Sequence, residues 1–100
     1  MGVIDRLMQM LFRTKVSFED GSSIEYIDRE VVRYARVDGR AVDIDLLFGF
    51  RGNRVRVLKP DLIRQWEGDS PNDISESDRR QIVERVTEYC RRRRVMLTTE

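Results

Sequence analysis

No histidine occurs in the 100 residues. Its absence removes the side chain most often used as a general base near neutral pH, and the commonest protein ligand for transition metals. Cys90 is the sole cysteine, so no disulfide can form within the chain. A zinc site, built largely from Cys and His, has too few ligands. Lysine is nearly missing as well: all but two of the 19 basic residues are arginine, Lys15 and Lys59 being the exceptions. Neither sign of charge dominates, since the 19 basic residues meet 18 acidic ones for a net +1, and such a balance exerts no global pull toward nucleic acid or membrane. No apolar run approaches the ~20 residues of a membrane span. The N-terminal stretch carries Asp5 and Arg6 among its apolar residues and lacks a small-residue cleavage site, so no signal peptide is expected. A reducing, cytoplasmic location is the expectation. Gly49-Phe50-Arg51-Gly52 reads as a turn, without the spacing or the helix start of a phosphate-binding loop.

What is present suits one compact unit and is too short for two. Charged residues make up 37% of the chain, above the usual level of about 25%, as suits a small body with much surface for its volume. Val3, Ile4, Leu7, Met8, Leu11 and Phe12 recur near helical spacing, which predicts an N-terminal helix or arm over residues 1–12. From Thr14 the period changes to two. Lys15 to Glu19, Ser23 to Ile27, Val31 to Val37, Ala41 to Phe48 and Arg54 to Leu58 read as strands. Asp20-Gly21, Asp38-Gly39 and Gly52-Asn53 supply tight turns between them. Strands joined this shortly over residues 14–59 predict an antiparallel meander.

Pro60 ends the strand pattern, and residues 60–74 read as a linker with one helical turn near Asp61 to Trp66. Ser75 opens a helix over residues 75–93. Its hydroxyl can cap the N–H of Asp78, and Asp78 can reach back as in a capping box. Ile82, Val83, Val86, Tyr89 and Cys90 form the apolar stripe, and Arg91 to Arg94 sit at the negative end of the helix dipole. Val95 to Thr99 has the character of a short last strand. The expected fold is a single α+β domain: an antiparallel sheet of about five strands packed by one C-terminal helix, with the short N-terminal helix beside it.

Asp43 and Asp45, two apart on a strand, project to one face. Such a pair can hold Mg²⁺ or share acid–base work. Arg54 and Arg56 alternate in the same way on the next strand, and a cross-strand ladder of opposite charges accounts for all four more simply. Cys90 falls on the buried stripe with no histidine to activate it, which makes it a core thiol. Arg91 to Arg94 would suit phosphate contacts, but four arginines ending a helix in a neutral domain are explained by the dipole alone. Trp66 is flanked by Arg64, Gln65, Glu67 and Asp69, which places it at the rim of the core, where tryptophan also serves as a binding anchor. No enzyme activity, cofactor or metal is expected.

Between Val57 and Tyr89, a strand leads to Leu62-Ile63-Arg64-Gln65-Trp66, then a loop with Pro71, then Ile74-Ser75-Glu76-Ser77-Asp78-Arg79-Arg80-Gln81-Ile82. This order resembles the end of the immunity protein 74 family of bacterial polymorphic-toxin systems, in which a strand, a W…P…I(S/T)…(K/R)xxI linker and a final helix follow one another. The residues that carry it are Trp66, Pro71, Ile74, Ser75 and Ile82. The resemblance implies a cytosolic antidote that binds and neutralises a toxin domain encoded by a neighbouring gene. The expected contact surface is the charged sheet face of Asp43, Asp45, Arg54 and Arg56, or the loop bearing Arg64 and Trp66. Pairing of two copies through the final strand or the N-terminal helix is a further expectation. The alternatives are a small nucleic-acid-associated protein using Arg91 to Arg94, and a purely structural domain.

Overall fold

A computed structural model describes residues 14–49, 52–68 and 72–100, with the side chains of residues 52–54 left aside. The expected N-terminal helix over residues 1–12 lies outside these. Six strands run in the order β1 (Val16–Ser17), β2 (Ser23–Asp28), β3 (Val31–Ala35), β4 (Ala41–Gly49), β5 (Gly52–Leu58) and β6 (Met96–Thr99), and they occupy the sheet in that same order. One helix, α1 (Glu76–Arg92), packs on the inner face. The chain is α+β, as expected, but the sheet is mixed. β1 to β5 pair antiparallel, whereas β6 pairs parallel with β5. The cause is the connection: a helix that crosses over the sheet returns the chain to the end where β5 began, and the next strand must then run alongside it.

Period-two alternation builds the core. Ile24, Val32, Tyr34, Val42, Ile44 and Leu46 are all buried from β2, β3 and β4, while Asp43 and Asp45 are exposed on the other face. The tight turn before β2 needs its glycine twice over. Gly21 sits at φ 86°, and an added Cβ would lie 2.9 Å from Val37 Cγ2.

β4 changes partner halfway. Its first half pairs with β3, from Ala41 opposite Ala35 to Asp45 opposite Val31. Its second half pairs with β5, beginning at Leu46 opposite Leu58. Lys59-Pro60 ends β5 at that point, since proline has no N–H for a ladder. A single 3-10 turn, Pro60–Leu62, then sends the chain along the first half of β4, where the N–H of Glu67 donates to the carbonyl of Ala41 at 2.8 Å. This strap is more than a linker, because Ile63, Trp66 and Ile74 are 2%, 3% and 4% exposed and complete the core.

The helix begins as expected, with the N–H of Asp78 donating to Ser75 Oγ at 3.1 Å. Asp78 does not close a capping box. Its carboxylate instead accepts from Arg36 Nη1 at 3.3 Å, tying the helix start to the end of β3. Ile82, Val86, Tyr89 and Cys90 are buried against the sheet. At the far end, the N–H of Val95 donates to the Cys90 carbonyl at 2.8 Å and that of Arg94 to the Arg91 carbonyl at 3.2 Å, with Arg94 at φ 58°. This is the reversal by which helices usually end on glycine.

Candidate functional site

The expected ladder of Asp43 and Asp45 against Arg54 and Arg56 does not form, because β4 reaches β5 only from Leu46 onward. Asp43 lies opposite Arg33 of β3 instead, and its Oδ1 accepts from Arg33 Nε at 2.8 Å. Arg33 Nη2 also donates to both carboxylate oxygens of Glu67, at 2.8 and 2.9 Å. The group pins the strap to the sheet, although exposed pairs of this kind contribute only about 0–1 kcal/mol.

Arg56 lies opposite Phe48, which points inward. Its guanidinium carbon is 3.8 Å from the centre of the Phe48 ring and 5.9 Å from that of Tyr26, and Nη1 donates to the Leu46 carbonyl at 3.2 Å. It closes one end of the core. Arg54 belongs to β5, and its side chain is outside the described set. Arg64 is exposed and donates from Nε to the Asp61 carbonyl at 2.9 Å. Trp66 is in the core rather than at its rim, tilted against Tyr34 with centroids 6.2 Å apart, with Arg36 at 5.4 Å from its ring. Asp43 and Asp45 are thus exposed on the outer face and Arg64 on the strap, whereas Arg56 packs on aromatic rings at the end of the core and Trp66 is buried within it.

Cys90 is 1% exposed, and burial pushes its thiol up to about 11, which leaves essentially no thiolate at neutral pH. The arginine run is engaged locally. Arg91 and Arg92 bind the Glu88 carboxylate at 2.7 and 2.9 Å and hold it down to about 2. Arg92 lies over the Phe18 ring at 5.4 Å, and Arg93 over the Tyr89 ring at 5.8 Å.

A groove of about 500 Å³ opens beside the start of β3, where β4 continues past it. The turn between β2 and β3 contributes Asp28, Arg29 and Glu30, and β4 adds Asp45. Val31, Leu47 and Phe48 supply apolar surface. Glu30 substitutes for the missing continuation of β3: its carbonyl accepts from the N–H of Leu46 at 2.7 Å, and its Oε1 accepts from the N–H of Phe48 at 3.3 Å. Three carboxylates against one guanidinium make the groove acidic, and its apolar part lies beside them. Such a lining suits a protein segment that pairs basic with apolar side chains. Of the residues expected from sequence, Asp45 alone lines this groove. The groove was hidden because it depends on where β3 begins relative to β4. The only sequence signal is the run Asp28-Arg29-Glu30, a turn with no glycine and three charges in a row.

Among the described residues, no three His, Cys, Asp or Glu are grouped so as to hold a metal ion, and no helix is long and apolar enough to cross a membrane. No family model, no curated protein and no solved structure matches this chain.

Proposed function

We propose that this chain is a non-catalytic, cytoplasmic protein-binding module, an antidote to a toxin domain of the kind implied by its resemblance over Val57 to Tyr89. The observation that carries this reading is the acidic groove flanked by Val31, Leu47 and Phe48. The partner docks a segment of basic and apolar residues there, so that Asp45 and Asp28 meet its cations while Val31 and Leu47 cover its apolar side chains. Catalysis is disfavoured by the lack of histidine and by the buried, protonated Cys90. The arginine run is a poor phosphate clamp, because Arg91 and Arg92 are bound to Glu88.

The test is calorimetric titration of the chain with the toxin domain encoded beside it. A saturable stoichiometric complex is expected. Asp45→Arg and Leu47→Glu should each weaken it about tenfold or more, with the far-UV spectrum and melting temperature unchanged. Absence of any complex, or a complex indifferent to both substitutions, would overturn the reading.

A further inference from the structure

We propose that two copies of this chain join edge to edge through β6, antiparallel about Leu97, to make one sheet that runs through both. The N–H of Glu100 donates to the Leu58 carbonyl at 2.9 Å, so the backbone at Glu100 faces β5. Backbone direction alternates along a strand. The N–H and C=O groups of Leu97 and Thr99 therefore face away from β5. β6 is the last strand in the sheet, and among the described residues no strand lies on its far side. Met96, 64% exposed, and Thr98, Thr99 and Glu100, all exposed, leave that edge open.

Natural edge strands are blunted by brevity, charge, proline or a bulge. The opposite edge of this sheet follows that rule. β1 is two residues long, and the Thr14 carbonyl before it accepts from the Tyr89 hydroxyl at 2.6 Å. β6, Met96-Leu97-Thr98-Thr99, is itself short at four residues but carries no charge and no proline. It is built from apolar and β-branched residues that favour pairing.

The remaining groups select a register. Val95 has its N–H occupied by the Cys90 carbonyl and can offer only its own carbonyl. Pairing centred on Leu97 of both copies uses what is left: Leu97 bonds reciprocally with Leu97, and each Thr99 N–H donates to the Val95 carbonyl of the second copy. The same register sets the exposed Arg94 opposite Glu100 of the second copy, once at each end of the ladder. A shift by one pair would leave both arginines without that partner. The pairing involves neither the groove nor its partner, so the two readings stand or fall separately.

The experiment is sedimentation equilibrium on the full chain from low micromolar to near-millimolar concentration. A dimer is expected. Thr99→Pro removes an outward-facing N–H and leaves the ladder to β5 intact, so it should give a monomer whose melting temperature matches the parent's at a chain concentration below any pairing. Arg94→Glu and Glu100→Arg should each raise the dimer dissociation constant about tenfold, and the double exchange should restore it. A single-chain mass at every concentration overturns the proposal. So does a Thr99→Pro dimer as tight as the original. Should Thr99→Pro fail to fold, the charge exchange decides alone, and failure of the double variant to recover association counts against the pairing.

Discussion

Arg94 occupies a left-handed conformation, φ 58°, that side chains adopt only at a cost. The helix reverses there into β6, and the two bonds from Val95 and Arg94 back to Cys90 and Arg91 define the position that glycine normally fills. Arg94→Gly should therefore stabilise the fold by about 1 kcal/mol, read as a higher urea midpoint at a chain concentration below any pairing. A neutral or destabilising result would mean that the arginine side chain makes good its own strain. The sequence pointed to a helix ending among Arg91 to Arg94, but four identical residues carry no mark of which one turns the chain. Trp66 shows the same limit. Its polar neighbours suggested the rim, yet Arg64, Gln65 and Glu67 are exposed while the indole packs on Tyr34. A single flanking pattern cannot tell a rim from a strap that is itself part of the core.

The elements were legible wherever local chemistry decides them. Alternation marked the strands, Asp20-Gly21 and Asp38-Gly39 marked two of the turns, and Ser75 the helix start, whereas Gly52-Asn53, expected as a turn, opens β5 instead. Long-range partners were not legible. Asp78 was available to cap its own helix, but Arg36, 42 residues away, takes its carboxylate. Nor does Val95 to Thr99 carry any sign of strand direction, which the crossover alone sets. The last turn of α1 has a pH signature. Bonds from Arg91 and Arg92 depress the Glu88 carboxyl from its ordinary 4.5 to about 2. A carboxylate depressed in the folded state lends stability that is complete above its unfolded pKa and is lost as pH falls through the folded one. Glu88→Gln should thus melt earlier than the parent at neutral pH, and the gap should close as pH drops from 4.5 toward 2. Because the arginines are exposed, high salt should narrow the gap as well. A gap constant over the same pH range would show that these ion pairs do not stabilise the helix.

The molecule as a whole turns on β4. The strand serves β3 along its first half and β5 along its second, and Leu46, fully buried, stands at the exchange. That exchange explains what sequence reasoning could not see. The expected charge ladder assumed one continuous hairpin, whereas the change of partner moves Asp43 beside Arg33 and opens the groove beyond Val31. It also makes the two halves of the sheet one cooperative unit, because neither has a core without Ile44 and Leu46. Leu46→Ala should cost about 2–5 kcal/mol, a large part of the 5–15 kcal/mol typical of a domain. Leu62→Ala, at a position 58% exposed, should change stability by no more than about 0.5 kcal/mol. Native-state hydrogen exchange distinguishes loss of the whole from loss of a part. In Leu46→Ala, amides of β2 and β3 should lose protection by the same free energy as those of β5 and β6. If β5 and β6 open alone while β2 and β3 keep their protection, then β4 is a boundary between two sheets rather than the strand that unites them.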